Sequence, residues 1–365
     1  MKKLLLITIS FIYSSFAISA LDCPEVNLYE TNKRLNTMPI EFQGDMNTCY
    51  AHSLAQNYNM SVAQTSEDKI SAYWIAFLHK NKILHWNPKD MDFSMIAWAS
   101  IDLNKWGKCD YSTLETSINE YKNGANYSHD QFFFLYKYYF KTIKKKDTNN
   151  NSEWKNIISL LTKRLKKETK KYTYPWKEID ILKVLNPIRI SSNGKSFFDF
   201  LKDTIYAKCI ESKTDINYAL DVYGIKTETN EDLAIKTGNY LSQGRAISIG
   251  HCPDVTYDEG SLGKKNIKIM PRLFKSFSRK CGAHYALLVG SRKNAQNKCE
   301  YLVRNSYGKG FWADKSYTCY CEDNNTKQRT NCSKSNFKST ETTVLGCWID
   351  GERLLTNTYE LDVII

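Results

Sequence analysis

The chain contains eleven cysteines, and this odd count constrains its fold more than any other feature of the sequence. In an oxidising compartment ten cysteines can form five disulfides, and one thiol is then left over. A leftover thiol in an exported protein is either an intermolecular partner or a reactive nucleophile. Two questions follow: whether the chain is exported, and which cysteine stays free.

The first twenty residues have the three parts of a secretory signal peptide. Two lysines precede an apolar run over residues 4–13, and small residues follow up to Ala20. The apolar run is shorter than the ~20 residues needed to cross a bilayer, and no other stretch is apolar enough to do so. We therefore expect residues 1–20 to be cleaved after Ser19 or Ala20, giving a secreted or periplasmic protein without a transmembrane segment.

Two alternatives compete with simple disulfide pairing. Cys23 stands where a lipoprotein carries its anchor, although Asp22 before it disfavours lipidation. Near the C-terminus, four cysteines have the number of thiolates of a zinc site: Cys319, Cys321, Cys332 and Cys347. Their Cys-x-Cys spacing is unlike that of zinc knuckles, and an oxidising compartment favours disulfides. We therefore expect disulfides and no metal, with a pairing that the sequence leaves open.

The net charge of the chain is +12, and most of it lies in one block. Residues 121–215 contain 20 Lys and Arg against 10 Asp and Glu, a net charge of +10. We interpret this block as part of a mainly helical insertion, 121–225, whose apolar stripes pack on a core. Three interpretations of its basic face stay open: a plain solvated face, a contact for an anionic surface, or a lid. Nothing in it resembles a nucleic-acid-binding module, so we expect no nucleic-acid partner.

Apolar periodicity predicts helices in the first part of the chain and strands in the last third. The first three helices are predicted near Cys49, from Ser66 and over about 94–105. Later helices are predicted to start near Asp130, Trp154, Ser196 and Asn230. Runs rich in apolar and β-branched residues predict strands over 246–250, 284–292 and 300–306. This order favours an α+β fold with two packed lobes.

Cys49 is the candidate for the free thiol. It opens a predicted helix, and the positive end of the helix dipole favours its thiolate. Gln43 brings an amide to the same place, so its side chain and the Cys49 backbone N–H can form a two-donor oxyanion hole. His284 starts a strand, and Asn305 lies on the neighbouring strand, where its amide can orient the imidazole towards Cys49.

These residues resemble the signature blocks of the papain family of cysteine peptidases. Gln43-Gly44 and Cys49-Tyr50-Ala51-His52-Ser53 resemble its Gln-Gly…Cys-Trp-Ala-Phe-Ser block, with the same spacing from Gln to Cys. His284 begins a run similar to the histidine block of the family. Asn305-Ser306-Tyr307-Gly308 resembles its Asn-Ser-Trp-Gly signature. The three blocks stand in the order that the family has.

The resemblance implies a fold and a domain organisation. The fold is the papain-like two-lobe α+β fold with a mainly helical basic insertion. A helical left lobe, 21–120, carries the cysteine, and the insertion 121–225 follows it. A β-rich right lobe, 226–365, carries the histidine and the asparagine.

The resemblance also implies a function and residue roles. Cys49 is the nucleophile, His284 the general base and acid, Asn305 its orienting residue and Gln43 an oxyanion donor. The implied activity is that of a secreted cysteine endopeptidase, which hydrolyses protein or peptide substrates through an acyl-thioester on Cys49. This chemistry needs neither a metal nor an organic cofactor.

The sequence departs from the pattern of the family at several places. Tyr50 and Tyr307 replace tryptophans, and Met46 replaces a disulfide cysteine. No glycine lies between Gly44 and Gly107, so the Gly-Gly that pairs with substrate backbone is missing. The chain before the nucleophile is also too short for the usual inhibitory pro-region.

Two other functions stay open at this point. One is a catalytically silent papain-fold protein that binds anionic surfaces through the insertion, and the other is a papain-fold acyltransferase or isopeptidase. The intact residue types at the four candidate positions favour the peptidase, and the missing Gly-Gly favours the silent protein. His52 lies one turn after Cys49, and we interpret it as a packing residue. Four other histidines follow no motif and are interpreted as ordinary core or surface residues: His79, His85, His129 and His251.

Overall fold

A computed structural model describes most of the chain after the N-terminal segment. The described residues are 23–40, 43, 48–65, 67–83, 96–143, 146, 148–168, 176–216, 218–223, 229–253, 256, 284–306, 317–333 and 341–365. The predicted signal peptide lies outside them. Within them the fold is α+β, as predicted, with thirteen helices and nine strands.

Most of the helices precede most of the strands. The helices are α1 (Leu28–Thr31), α2 (Lys33–Thr37), α3 (Cys49–Ser61), α4 (Ala72–Ile83), α5 (Ile96–Trp106), α6 (Tyr111–Lys122), α7 (His129–Ile143), α8 (Asn151–Glu168), α9 (Glu178–Leu185), α10 (Phe197–Asp203), α11 (Ala207–Glu211), α12 (Asn230–Ser242) and α13 (Gly351–Thr356). The strands are β1 (Val26–Asn27), β2 (Leu220–Tyr223), β3 (Ile247–His251), β4 (His284–Lys293), β5 (Cys299–Arg304), β6 (Cys319–Asp323), β7 (Arg329–Cys332), β8 (Thr342–Asp350) and β9 (Thr358–Ile364).

The nine strands form one open antiparallel sheet. Its order is β2-β9-β3-β4-β5-β8-β6-β7, and β1 pairs with β4. The close approach of β1 requires a glycine in β4, because a Cβ atom at Gly290 would lie 2.6 Å from the Val26 carbonyl oxygen. In the β3–β4 ladder His251 is directly opposite His284. The sheet therefore fixes what lies beside the candidate histidine.

Helix α3 is the element that joins the helices to the sheet. All its residues from Cys49 to Met60 are buried, including several polar ones. Ser53 Oγ donates to the Ala286 carbonyl at 2.8 Å, and Asn57 Nδ2 donates to Ser248 Oγ at 3.1 Å. Because buried polar groups need partners, these bonds fix both the rotation and the height of α3 against β3 and β4.

The basic block packs directly on the N-terminal helices. The rings of Tyr73 and Phe133 stack at 4.1 Å, and those of Phe77 and Tyr206 lie 4.3 Å apart. The Cys109–Cys209 disulfide links the same two regions. One continuous apolar cluster therefore includes residues from α3, α4 and the block. The predicted domain boundaries stay predictions.

The observed elements differ from the predicted ones at three places, two of which follow from local capping. Helix α4 starts at Ala72 rather than near Ser66, because the Asp68 carboxylate closes a turn with the Thr65 N–H and binds Lys108 Nζ. Helix α12 is capped by Thr229, in a reciprocal capping box, and not by Asn230. Strand β5 ends at Arg304, so the two residues after it lie outside the ladder.

Disulfides use most of the described cysteines. Four pairs are present: Cys23–Cys299, Cys109–Cys209, Cys319–Cys347 and Cys321–Cys332. The prediction of disulfides rather than a zinc site is thus confirmed for the C-terminal cysteines. Cys252 is also disulfide-bonded, and Cys281 lies outside the described residues. Among the described cysteines Cys49 alone is free. These bonds indicate an oxidising compartment.

Hydropathy gives one further result. In the part of the chain that the structure describes, no helix has the length and apolar composition needed to cross a bilayer.

Arg304 provides a test of how the fold is held together. Its buried guanidinium donates to Gln56 Oε1 and to the Tyr29 hydroxyl, both at 2.6 Å, and to the Met38 carbonyl at 3.0 Å. Arg304→Met leaves buried acceptors without a donor, so we expect it to lower the free energy of unfolding by about 3 kcal/mol or more. Urea denaturation measures this loss.

The matched control is Arg34→Met. Arg34 is exposed and donates to the Met60 and Ser61 carbonyls at 3.3 Å, so water can replace it. We expect a change of about 1 kcal/mol at most. Equal losses in the two variants would show that the Arg304 network does not hold the fold.

Candidate active site

Cys49 lies at the N-terminus of α3, against the start of β4. The thiol accepts hydrogen bonds from the backbone N–H groups of Cys49 itself, Tyr50 and Tyr285 and from the Gln43 side chain. Ser53, one turn further along α3, donates a hydrogen bond to the Ala286 carbonyl, which fixes the position of the helix along β4. The nucleophile is thus within hydrogen-bonding distance of the residue that follows His284.

His284 is the first residue of β4, and its side chain is buried. The ring Nε2–H donates to Asn305 Oδ1 at 3.0 Å. Asn305 is placed there because it directly follows β5, whose last residue, Arg304, pairs with Leu287 of β4. Since Nε2 is engaged by Asn305, Nδ1 is the nitrogen that remains for the proton of the thiol. That Nδ1 faces Cys49 stays a prediction.

Gln43 is held by two hydrogen bonds to Ser306. Its backbone N–H donates to the Ser306 carbonyl at 2.8 Å, and Ser306 Oγ donates to its side-chain Oε1. With Oε1 occupied, the NH₂ group of the amide turns towards Cys49, with which the side chain forms a hydrogen bond. Gln43, Cys49, His284 and Asn305 therefore come together in one buried cluster.

The surroundings of the site disfavour charge on both reacting groups. Burial raises the pKa of the Cys49 thiol to about 11, although its four hydrogen bonds act in the opposite direction. Burial also lowers the pKa of His284 well below its usual value, and the nearby His251 lowers it further. The expectation that the helix dipole favours a thiolate stays a prediction, and burial acts in the opposite direction.

His251 belongs to this site, and sequence reasoning missed it. Its ring lies edge to face against that of His284, with 5.4 Å between the ring centres. Burial lowers its pKa to about 4, so it is neutral at physiological pH. No local pattern marks this residue, because the contact depends on how β3 pairs with β4. The other histidines differ: His52 packs on Tyr73, and His79 Nδ1 bonds Asp102 at 2.6 Å.

Two tyrosines lie next to the reacting groups. The Tyr359 hydroxyl donates to the His284 carbonyl at 3.5 Å, and its ring lies at right angles to that of Tyr285. The Tyr285 hydroxyl donates to Glu360, which is fully buried. Neither tyrosine was predicted as a site residue. Residues 44–47, 307 and 308 of the signature blocks lie outside the described residues.

The arrangement has the parts needed for acyl transfer by a thiol. It contains a free thiol, an imidazole bonded to an amide and two N–H donors beside the sulfur, which are the group types that such chemistry uses. Within the described residues, no group of three or more His, Cys, Asp or Glu side chains has the geometry of a metal site.

Comparisons with known proteins do not assign the chain to a family. No profile of a known protein family matches it, and no curated protein matches it in sequence. The function of the chain is therefore inferred from the chemistry of its site.

The raised thiol pKa gives a test that needs no substrate. His284→Ala removes the base but leaves the burial and the backbone donors around Cys49. Since these surroundings raise the pKa of the thiol to about 11, its alkylation by iodoacetamide in this variant should still accelerate above about pH 9. In the unmodified protein His284 accepts the proton, so we expect reaction near neutral pH. Intact-mass spectrometry measures both rates.

The control for this experiment is His129→Gln, on α7, which should retain the pH profile of the unmodified protein. A plateau of the His284→Ala rate at or below about pH 8.5, where an ordinary thiol ionises, would contradict the argument from burial.

Proposed function

We propose that the chain is a secreted papain-like cysteine endopeptidase, which hydrolyses protein or peptide substrates through an acyl-thioester on Cys49. The observation that carries this proposal is the 3.0 Å bond from His284 Nε2 to Asn305 Oδ1, beside the free thiol. In this proposal the helical cluster and the sheet are the two lobes of the papain fold, and the basic block is the insertion between them.

The first half of the reaction forms the thioester. His284 Nδ1 removes the proton from Cys49 Sγ as the sulfur attacks the carbonyl carbon of the scissile peptide bond. The electron pair of the carbonyl moves onto its oxygen, which the Cys49 N–H and the Gln43 amide stabilise. When this oxyanion collapses, the C–N bond breaks and His284 gives its proton to the departing amine.

The second half of the reaction releases the product. His284 Nδ1 takes a proton from water, and the water oxygen attacks the thioester carbon at the same oxyanion site. Collapse of this intermediate breaks the C–S bond, and the proton returns to Cys49. Asn305 keeps the imidazole in the Nε2–H tautomer during both halves, so that Nδ1 can accept a proton each time.

The proposal predicts that a peptidyl epoxide inhibitor labels Cys49 stoichiometrically. His284→Ala should slow labelling about 100-fold or more, because the base that activates the thiol is lost. Asn305→Ala should slow it about 10-fold or more, since the ring loses its orienting bond. Mass spectrometry of tryptic peptides gives the labelled residue, and His129→Gln serves as a control that should label normally.

The outcome that refutes the proposal is a Cys49 that is held in a disulfide or reacts no faster than a free thiol. Digestion of an unfolded protein substrate, with and without an added amine, then separates hydrolysis from acyl transfer. Free carboxylate products support the endopeptidase. Amide products in their place would establish an acyltransferase.

A second proposal concerns the outer face of α8. Four lysines and one leucine lie exposed on this face: Lys155, Leu160, Lys163, Lys166 and Lys167. None of these lysines has an ion-pair partner among the described residues, whereas Lys195 and Lys208 are paired with Asp203 and Glu120. The opposite stripe of α8 is packed in the core, so its lysines point outwards together. We propose that this lysine face binds an anionic surface.

The lysine face is tested with vesicles that contain anionic phospholipid. Changing its four lysines to Gln should weaken sedimentation with the vesicles by up to about 1000-fold, because each lysine near such a surface contributes about 1 kcal/mol. The control changes four other exposed lysines to Gln and removes the same charge: Lys177, Lys195, Lys202 and Lys208. Equal weakening in both variants would show that net charge, and not this face, controls binding.

A further inference from the structure

We propose that His251 is a positioning residue for His284, whose ring it holds in the plane that directs Nδ1 to the thiol. This inference rests on the function proposed for the site and adds a residue to it. Neither the signature blocks nor any local pattern in the sequence marks this position. Three observations carry the inference: the strand register, the ring contact and the close packing around Gly250, the residue before His251.

The strand register places the two histidines together. His251 is the last residue of β3 and His284 the first residue of β4, and they are directly opposite in the antiparallel ladder. Opposite residues of such a ladder project from the same face of the sheet, with their Cβ atoms about 5 Å apart. Both side chains are buried, so neither ring can swing out into solvent.

The ring contact with His251 restrains a rotation of the His284 ring that the bond to Asn305 does not fully restrain. A histidine ring turns about its Cβ–Cγ bond in a broad, shallow well. The bond from Nε2 to Asn305 fixes one atom of the His284 ring but permits rotation about that point. The ring of His251, at an angle of 78° and 5.4 Å away, blocks this rotation. Together the two contacts define a plane.

The packing around Gly250 holds His251 at its place in the ladder. Strand β3 keeps a regular register with β4 through His251. Against β9 the register shifts between Gly250 and His251, because β9 contributes one extra residue there, Tyr359. Gly250 is needed here, since a Cβ atom would lie 2.6 Å from the Tyr359 ring and 2.8 Å from the Tyr285 ring. The extra residue of β9 therefore packs on the glycine that precedes His251.

The groups that contact His284 bring no formal charge to it. The Asn305 amide after β5 and the His251 ring of β3 contact its ring, the Tyr359 hydroxyl of β9 bonds its carbonyl, and the Cys49 thiol of α3 bonds the backbone N–H of the next residue, Tyr285. All are neutral near pH 7. The imidazolium that His284 forms during each half-reaction therefore meets an aromatic ring and not a second cation.

The experiment compares His251→Ala, which removes the ring, with His251→Phe, which keeps a ring without titratable nitrogens. If His251 acts by contact, the alanine variant should lose about 10- to 100-fold in kcat with KM within about twofold of the unmodified protein. The phenylalanine variant should recover most of this loss. A purely structural role would give equal effects in both variants or lower thermal stability without a selective effect on kcat.

Alkylation of Cys49 at neutral pH is measured beside peptide hydrolysis, since it needs no substrate site. It should fall with kcat in His251→Ala and recover in His251→Phe. Should the alanine variant fail to fold, His251→Asn replaces it, because it keeps a polar group but no ring. Kinetics equal to those of the unmodified protein in the ringless variant, or no recovery with Phe, would overturn the inference.

The outcome for the unmodified protein separates the two proposals. If it shows neither hydrolysis nor fast alkylation of Cys49, the proposed function fails. If it is active and the variants of His251 are equally active, only the role of His251 fails. His129→Gln is the control histidine in both assays and should leave kcat unchanged.

Discussion

The buried guanidinium of Arg304 is the interaction on which the geometry of the site depends. A cation in a protein interior is costly unless every donor finds a partner. Here its donors reach Tyr29 of α1, Met38 directly after α2 and Gln56 of α3. Tyr29 in turn donates to the Leu345 carbonyl of β8 at 2.8 Å. Asn305 directly follows Arg304 in the chain. The contacts that fix Arg304 therefore also fix the position from which the Asn305 side chain extends.

Sequence reasoning found the parts of this site but not how they are held. The starts of α3 and β4, at Cys49 and His284, follow from local apolar patterns, and motif chemistry marked the four candidate residues. The roles of Arg304 and His251 depend on contacts between distant segments, which leave no periodic signal. The start of α4 was missed for a local reason, because the Asp68 carboxylate can close a turn as well as open a helix.

Two opposing effects act on the charge of the Cys49 thiol, and their magnitudes can be compared. A helix dipole contributes about 0.3–1 kcal/mol to a charge at its N-terminus. Burial moves the pKa of Cys49 from 9.0 to about 11, which corresponds to about 3 kcal/mol against the thiolate. Because burial outweighs the dipole, position at a helix start does not by itself create a nucleophile. In the proposed mechanism proton transfer to His284 creates the nucleophile, so the orientation of that ring becomes the critical variable.

The basic block is mechanically part of the framework that carries the nucleophile. The ring of Trp154 on α8 lies against Tyr139 of α7, and Phe133 of α7 stacks on Tyr73 of α4. Tyr73 in turn contacts His52, one turn after the nucleophile. Close-packed contacts of this kind do not slide freely. A surface bound at the lysine face of α8 would therefore hold Cys49 in a fixed orientation to that surface, so the two proposed activities would share one rigid core.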